Sequence, residues 1–192
     1  EFAAISGTSA GAMNAVVCVD GLMDGGNEGA RAALTHFWKE MSRSARLSPV
    51  QRTPIDMFMG NWSLQNAPGY HFFDALTRAA SPYQLNPLNI NPLHNLIKEV
   101  VDFDRVRRCS STQLFISATN VETGRVKVFD PKKLNADMVM ASACLPMVFQ
   151  AIEIDGIPYW DGGYMGNPVL FPFHTQTECA DVLVIQINPV ER

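Results

Sequence analysis

The sequence predicts an α/β fold, with a mostly parallel central sheet flanked by helices. Residues 114–119 form a short run of apolar and β-branched residues, which is typical of a buried strand. Residues 92–101 carry apolar side chains at helical spacing, which indicates an amphipathic helix. Residues 152–160 contain two strand-like runs that turn at Asp155 and Gly156. Long helices combined with buried strands and hairpins favour the α/β class.

Composition sets limits on size, partners and location. A chain of 192 residues with 47% hydrophobic residues can bury the core of one domain. The net charge of −4 gives no basic field for nucleic acid, so any membrane contact must be mainly apolar. The four cysteines lie far apart, with no CxxC pair and no Cys/His cluster of zinc-ligand spacing, which favours a reducing compartment. With neither a signal peptide nor a membrane-spanning run, we expect a cytoplasmic or peripheral membrane protein.

The first elements are predicted in the order strand, tight turn, helix. Residues 1–6 indicate a buried strand, and the small and apolar residues 12–19 indicate a helix. Asn27 is expected to cap a second amphipathic helix. The chain begins within a strand-like run and stops just after another, at 181–188. We therefore expect a fragment of a longer protein.

Residues 44–92 break the regular pattern with six prolines and many aromatic residues, which favours an irregular, lid-like insertion within the domain. Short helices are expected near 54–59 and 72–80. The apolar residues of this segment either line an acyl-chain pocket, touch a bilayer surface, or simply fill the core. These residues are Met57, Phe58, Met59, Trp62, Tyr70, Phe72 and Phe73.

The second half is predicted to contain two hairpins and one helix. The strand at 114–119 pairs with an alternating strand at 125–129, and the hairpin at 152–160 follows later. A helix is expected from Asn135 to Cys144, ended by Pro146. Asp161 comes directly after the second hairpin.

Residues 7–11 fit the pattern GxSxG between a strand and a helix, which is the setting of a nucleophile elbow. Such a sharp turn strains the central residue and is expected to require glycine at both Gly7 and Gly11. Ser9 would then stand above the sheet, where the Ala10 amide and the helix dipole stabilise an oxyanion. The simpler alternative is a glycine and serine turn that only begins a helix.

A serine hydroxyl needs an adjacent base before it becomes a good nucleophile. Asp161 is the candidate, because Gly162 and Gly163 allow the backbone to approach closely while the carboxylate points inward. The alternative is a surface turn that closes the hairpin.

Taken together, these motifs resemble the patatin-like phospholipase family, bacterial branch. The resemblance is carried by Ile5–Asn14 around the elbow, by Ala141–Phe149 leading into Asp155–Gly156 and Asp161–Gly163, and by the segments at 81–87 and 91–93. It spans nearly the whole chain. It implies a three-layer fold related to the α/β-hydrolases and a Ser9–Asp161 dyad that works without histidine.

The resemblance further implies a lipid ester substrate, transient membrane-surface contact, and neither a metal nor an organic cofactor. The family's glycine-rich oxyanion loop would lie upstream of Glu1, so residues 1–192 are expected to form a single, incomplete catalytic domain with weak activity. Loss of one oxyanion donor costs on the order of 10²–10³ in rate. The oligomeric state and the head-group preference are not predicted.

Three alternatives remain open from the sequence. A triad in the order Ser9, Asp161, His174 is possible, but the spacing favours His174 as a loop residue. The protein could also be a binding module for lipid or protein that keeps the elbow as a fold element. An acyltransferase would use the same acyl-enzyme with an alcohol as acceptor.

Overall fold

The computed structural model describes residues 2–45, 67–178 and 180–186. Its strands are β1 (Ala4–Gly7), β2 (Gln113–Asn120), β3 (Val126–Val128), β4 (Ile152–Ile154) and β5 (Ile157–Asp161). Its helices are α1 (Ala10–Ala45), α2 (Pro68–Ala79), α3 (Pro82–Leu85), α4 (Pro92–Val100), α5 (Phe103–Arg107), α6 (Ala136–Ser142) and α7 (Phe171–Gln176). Two short 3-10 turns lie at Pro131–Lys133 and Gly162–Tyr164.

The strand β2 is the centre of the sheet, whose order is β1-β2-β5-β4. β1 pairs with β2 in parallel, whereas β3 and β5 pair with β2, and β4 with β5, antiparallel. β3 and β5 pair with overlapping residues of β2, so they lie on opposite sides of that strand. β3 therefore lies on the same side of β2 as β1, beyond the residues that β1 pairs with. The α/β class is confirmed. The sheet is mixed, since both hairpins contribute antiparallel partners.

The two faces of β2 have different surroundings. Leu114, Ile116 and Ala118 belong to the main core together with residues of α1, α4 and α6. Side chains alternate along a strand, so Phe115 points the other way. It is buried there, with its ring 5.7 Å from that of Phe173 in α7. Helices therefore cover both faces of the sheet, as a three-layer arrangement requires.

The long helix α1 is a hairpin of two helical halves. Gly25 and Gly26 have non-helical dihedral angles, and the two halves touch where Gly21 meets Gly29. A Cβ on Gly29 would lie 2.3 Å from the carbonyl oxygen of Gly21, so only glycine allows this approach. Farther along, Trp38 Nε1 donates to Asn14 Oδ1 at 2.8 Å. The predicted pair of helices is therefore confirmed.

The first half of α1 is also joined to α5 by charge. Arg105 Nε donates to Asp20 Oδ1 at 2.7 Å and Arg105 Nη2 to Asp20 Oδ2 at 3.2 Å. Asp20 is buried, and Asp24 contributes a second, exposed carboxylate to Arg105. These interactions raise the pKa of Arg105, chiefly through the hydrogen bonds that it donates to Asp20.

Most of the other predicted elements are found. Both hairpins and the helix ahead of Pro146 are present, and α2 covers the helix expected at 72–80. Residues 181–186 form no strand and are exposed, so the prediction at 181–188 is wrong for its described part. The helix expected at 54–59 lies outside the described residues, as does the 46–66 part of the proposed insertion. Among the described helices, none has the length and apolar character needed to cross a bilayer.

Candidate active site

Ser9 occupies a strained turn between β1 and α1. Its φ is +57°, in the left-handed region that residues with a Cβ seldom adopt. The Ser9 carbonyl accepts hydrogen bonds from the amides of Ala12 at 2.9 Å and Met13 at 3.4 Å, so the helix begins directly after it. This is the backbone geometry expected of a nucleophile elbow.

The two glycines of the motif differ in whether a side chain would fit at their positions. A Cβ on Gly7 would lie 2.3 Å from the carbonyl oxygen of Gly11, so position 7 must be glycine. A Cβ on Gly11 would meet no atom within 4 Å. The expectation that both positions are sterically forced is therefore correct for Gly7 and wrong for Gly11. Gly7 faces the turn of the helix, whereas the missing side chain of Gly11 would point into open space.

The amide of Ser9 is already engaged. It donates to the side-chain oxygen of Ser142 at 3.0 Å and to the Ser142 carbonyl at 3.2 Å. The next amide, that of Ala10, has no acceptor among the described residues. Ala10 is the first residue of α1, so its amide is a free donor at the positive end of the helix.

Asp161 is the last residue of β5, and its side chain is buried. The residue is only 4% exposed, although a carboxylate is rarely buried without a partner. Oδ1 accepts from the Gly163 amide at 2.8 Å, but Oδ2 is buried without a hydrogen bond. Its backbone is fixed on both sides, because the Asp161 amide donates to Cys144 and Thr119 Oγ1 donates to the Asp161 carbonyl.

The residues next to Ser9 and Asp161 touch each other. A Cβ on Gly162 would lie 2.8 Å from Thr8 Cγ2 and 2.3 Å from the carbonyl oxygen of Ser117. Only glycine at 162 lets the Asp161 loop approach the elbow so closely. Thr8 Oγ1 and Ser117 Oγ are 2.8 Å apart and buried, which ties the elbow to β2. Gly163 has a smaller constraint, since its Cβ would lie 3.0 Å from Asp161 Oδ1.

A second observation limits the separation of Ser9 and Asp161. Their amides bind the carbonyls of Ser142 and Cys144, at 3.2 Å and 2.8 Å respectively. Two residues of chain span at most roughly 7 Å. The two backbones are thus held close together by one short segment. Among the described residues, Oδ2 of Asp161 has no hydrogen-bond partner, and no hydrogen bond joins it to the hydroxyl of Ser9.

Three side chains with buried contacts at the elbow were not predicted from the sequence: Thr8, Ser117 and Ser142. Each is a buried hydroxyl residue. Ser117 and Ser142 lie in runs that are otherwise largely apolar, and this was the signal available in the sequence. A buried hydroxyl must find a partner, but a sequence does not say where that partner lies.

None of the described histidines hydrogen-bonds to Asp161. His174 is exposed and lies in α7, so it is a helical residue and the loop predicted for it is wrong. His94 Nε2 lies 2.6 Å from Asp137 Oδ1, in a separate pair at the surface. Within the described ranges, no three Asp, Glu, His or Cys side chains are grouped so that they could hold a metal ion.

A cavity of about 200 Å³ lies between α1, α4 and Phe149. It is lined by Met41, Ser44, Asn91, Pro92, Leu93, Leu96 and Phe149. The contacts of Gly21 with Gly29 and of Asn14 with Trp38 set the register of the α1 hairpin. Met41 follows Trp38 by about one helical turn, so the same register places Met41 level with the start of α1. The cavity therefore lies at the same end of the hairpin as Ser9.

The aromatic residues suggested as a pocket are distributed differently. Met57, Phe58, Met59 and Trp62 lie outside the described residues. Tyr70 and Phe72 are exposed on α2, and Phe73 is partly buried there. In the described part of the segment these residues do not fill the core.

Comparison with known families gives a match over most of the chain. The model of the patatin-like phospholipase family matches residues 1–174. The chain belongs to the patatin-like phospholipase family. The resemblance drawn from the motifs is thereby confirmed, together with the patatin fold. Patatin-like phospholipases are in general lipid acyl hydrolases, so membership suggests a lipid ester substrate. A comparison with curated proteins finds no match.

Proposed function

We propose that this chain is a lipid acyl hydrolase in which Ser9 is the nucleophile and Asp161 its base. The observation that carries the proposal is the pairing of a strained serine turn with a buried carboxylate that has one free oxygen. A buried polar atom without a partner is costly, and such costs persist mainly at functional sites. Family membership supports the same reaction class.

The proposed reaction has two steps. Asp161 Oδ2 accepts the proton of the Ser9 hydroxyl while Ser9 Oγ attacks the ester carbonyl carbon. The carbonyl oxygen becomes an oxyanion that receives a hydrogen bond from the free Ala10 amide. The C–O bond to the alcohol then breaks, and the alcohol leaves with the proton held by Asp161. Water repeats the sequence on the acyl-enzyme, which releases the fatty acid and restores Ser9.

We propose phospholipids, lysophospholipids or acylglycerols as substrates. The cavity at Met41, Leu93, Leu96 and Phe149 is apolar along most of its wall and suits part of an acyl chain. Residues 44–92 are proposed to act as a lid within a single catalytic domain, and contact with a membrane surface to be transient. The proposed location is cytoplasmic or peripheral to a membrane. The chemistry needs no cofactor.

Fluorophosphonate labelling tests the nucleophile directly, because these reagents form a stable bond only with an activated serine. Wild-type protein should be labelled on Ser9, as mapped by peptide mass spectrometry, and should hydrolyse p-nitrophenyl esters. Ser9→Ala should abolish both signals. Ser110→Ala, which changes an exposed serine, should leave both unchanged. Undiminished labelling or hydrolysis in Ser9→Ala would exclude Ser9 as the nucleophile.

Product analysis separates hydrolysis from the other two functions. A hydrolase releases fatty acid whether or not an alcohol is present, whereas an acyltransferase makes a new ester when an alcohol acceptor is added. A binding module would give neither product and no covalent label.

A further inference from the structure

We propose that Ser142 is a positioning residue that holds the nucleophile turn through its side-chain hydroxyl. The inference rests on the proposed function, in which Ser9 is the nucleophile. Ser142 is the last residue of α6 and is fully buried. It lies 133 positions from Ser9 in the sequence, yet its oxygen atoms accept both hydrogen bonds that the Ser9 amide donates.

The turn at Ser9 needs such support. A φ of +57° is unfavourable for serine, and a strained conformation persists only where the surroundings determine it. The Ser9 carbonyl is held by the first turn of α1, which is a local contact. Among the described residues, Ser142 supplies the long-range contact to the Ser9 backbone. Its hydroxyl oxygen, at 3.0 Å, lies nearer than its carbonyl oxygen, at 3.2 Å.

This contact decides which amide is free for catalysis. Because Ser142 occupies the Ser9 amide, that amide cannot bind an oxyanion, and the Ala10 amide is left as the available donor. The Ser142 side chain therefore sets the direction of both the nucleophile and its neighbouring donor. It contacts the backbone of Ser9 and not the substrate, so its effect should appear in kcat and not in KM.

The segment that contains Ser142 also holds the backbone of Asp161, the proposed base. The Cys144 carbonyl accepts the Asp161 amide at 2.8 Å, two residues beyond Ser142. Ser142 and Cys144 thus fix the backbones of the proposed nucleophile and base relative to each other. Small errors in such a distance are costly, since reacting atoms must lie within about 3–3.5 Å of each other.

Ser142→Ala tests the hydroxyl while leaving the backbone carbonyl in place. We expect kcat for ester hydrolysis to fall about 10-fold with KM unchanged, as for one lost hydrogen bond. The matched control is Thr112→Ala, which also removes a buried hydroxyl with a long-range backbone contact, since Thr112 Oγ1 donates to the carbonyl of Phe2, just before β1. It should lose stability but keep kcat. Ser142→Cys retains a weak acceptor and should fall between the two.

Hydrogen exchange of the Ser9 amide, measured by NMR, gives a readout that does not depend on activity. It should be about 10-fold faster in Ser142→Ala than in wild type and unchanged in Thr112→Ala. Unchanged exchange, or equal losses of kcat in both variants, would overturn the role of Ser142. If wild type is not labelled by fluorophosphonate, the proposed function fails, while the exchange rates still decide whether Ser142 holds the turn. If Ser142→Ala does not fold, Ser142→Cys decides by the same two measurements.

Discussion

Replacing Asp161 by asparagine should separate catalysis from stability. In the wild type, the Gly163 backbone amide donates to Asp161 Oδ1 at 2.8 Å, and the asparagine side chain keeps an oxygen that can accept this hydrogen bond. The substitution also removes a buried carboxylate whose Oδ2 has no hydrogen-bond partner. Removing an unsatisfied buried acceptor raises the free energy of unfolding by about 1–3 kcal/mol. The side-chain nitrogen of asparagine is itself left without a partner, which cancels part of this gain. We therefore expect a gain of about 1 kcal/mol, which raises Tm by roughly 2–4 °C in a chain of this size. Loss of the general base should lower kcat by about 10²–10⁴.

Differential scanning calorimetry and p-nitrophenyl ester hydrolysis on the same preparation measure both effects. Asp161→Ala is a useful companion, because it also leaves the Gly163 amide unpaired and should lose both activity and stability. A Tm that falls by several degrees in Asp161→Asn would refute the reasoning, since it would mean that the carboxylate holds the loop together. Retained activity would exclude Asp161 as the base.

Three further predictions concern packing and charge. Gly7→Ala should destabilise the fold by about 3 kcal/mol, because its Cβ would clash with the Gly11 carbonyl, whereas Gly11→Ala should be neutral or stabilise it by up to about 1 kcal/mol. Urea unfolding measures both variants, and equal losses of stability would contradict this difference. Arg105→Met leaves Asp20 buried without its cation and should cost about 3 kcal/mol in the same assay; a loss below 1 kcal/mol would show that the pair is not structural. Burial raises the pKa of the Cys144 thiol to about 11, so iodoacetamide at pH 8 should modify it only after unfolding. Because the folded pKa lies above the ordinary value of 9.0, the stability margin of wild type over Cys144→Ala should shrink between pH 9 and 11, and a constant margin would count against the buried thiol.

Local patterns predicted the elements around the candidate site well. The small residues after Gly11 predicted the start of α1, and Asp155–Gly156 predicted the second hairpin, where φ is +52° and +76°. Both signals depend on neighbours in the sequence, so they can be read without knowing the fold. The structure places Ser9 and Asp161 at the ends of β1 and β5, as the motifs required.

Long-range features could not be predicted in the same way. Ser142 contacts Ser9 across 133 positions, and Ser117 meets Thr8 across 109. Whether a buried hydroxyl serves the core or the site depends on which strands become neighbours. The strand run at 181–186 looked like β structure by composition, but a strand forms only where it has a partner to pair with.

The α1 hairpin has a consequence for mutagenesis at a distance. Gly21 lies 12 residues from Ser9, or roughly 18 Å along the helix. Any side chain at Gly21 or Gly29 would force the two halves apart, and the displaced half carries Met41, which lines the cavity at the Ser9 end. A mutational scan scored by activity should therefore identify these two glycines alongside the residues that perform the chemistry, although neither lies next to Ser9 in the sequence. Their loss would displace Met41 in the cavity wall while leaving Ser9 and Asp161 chemically intact.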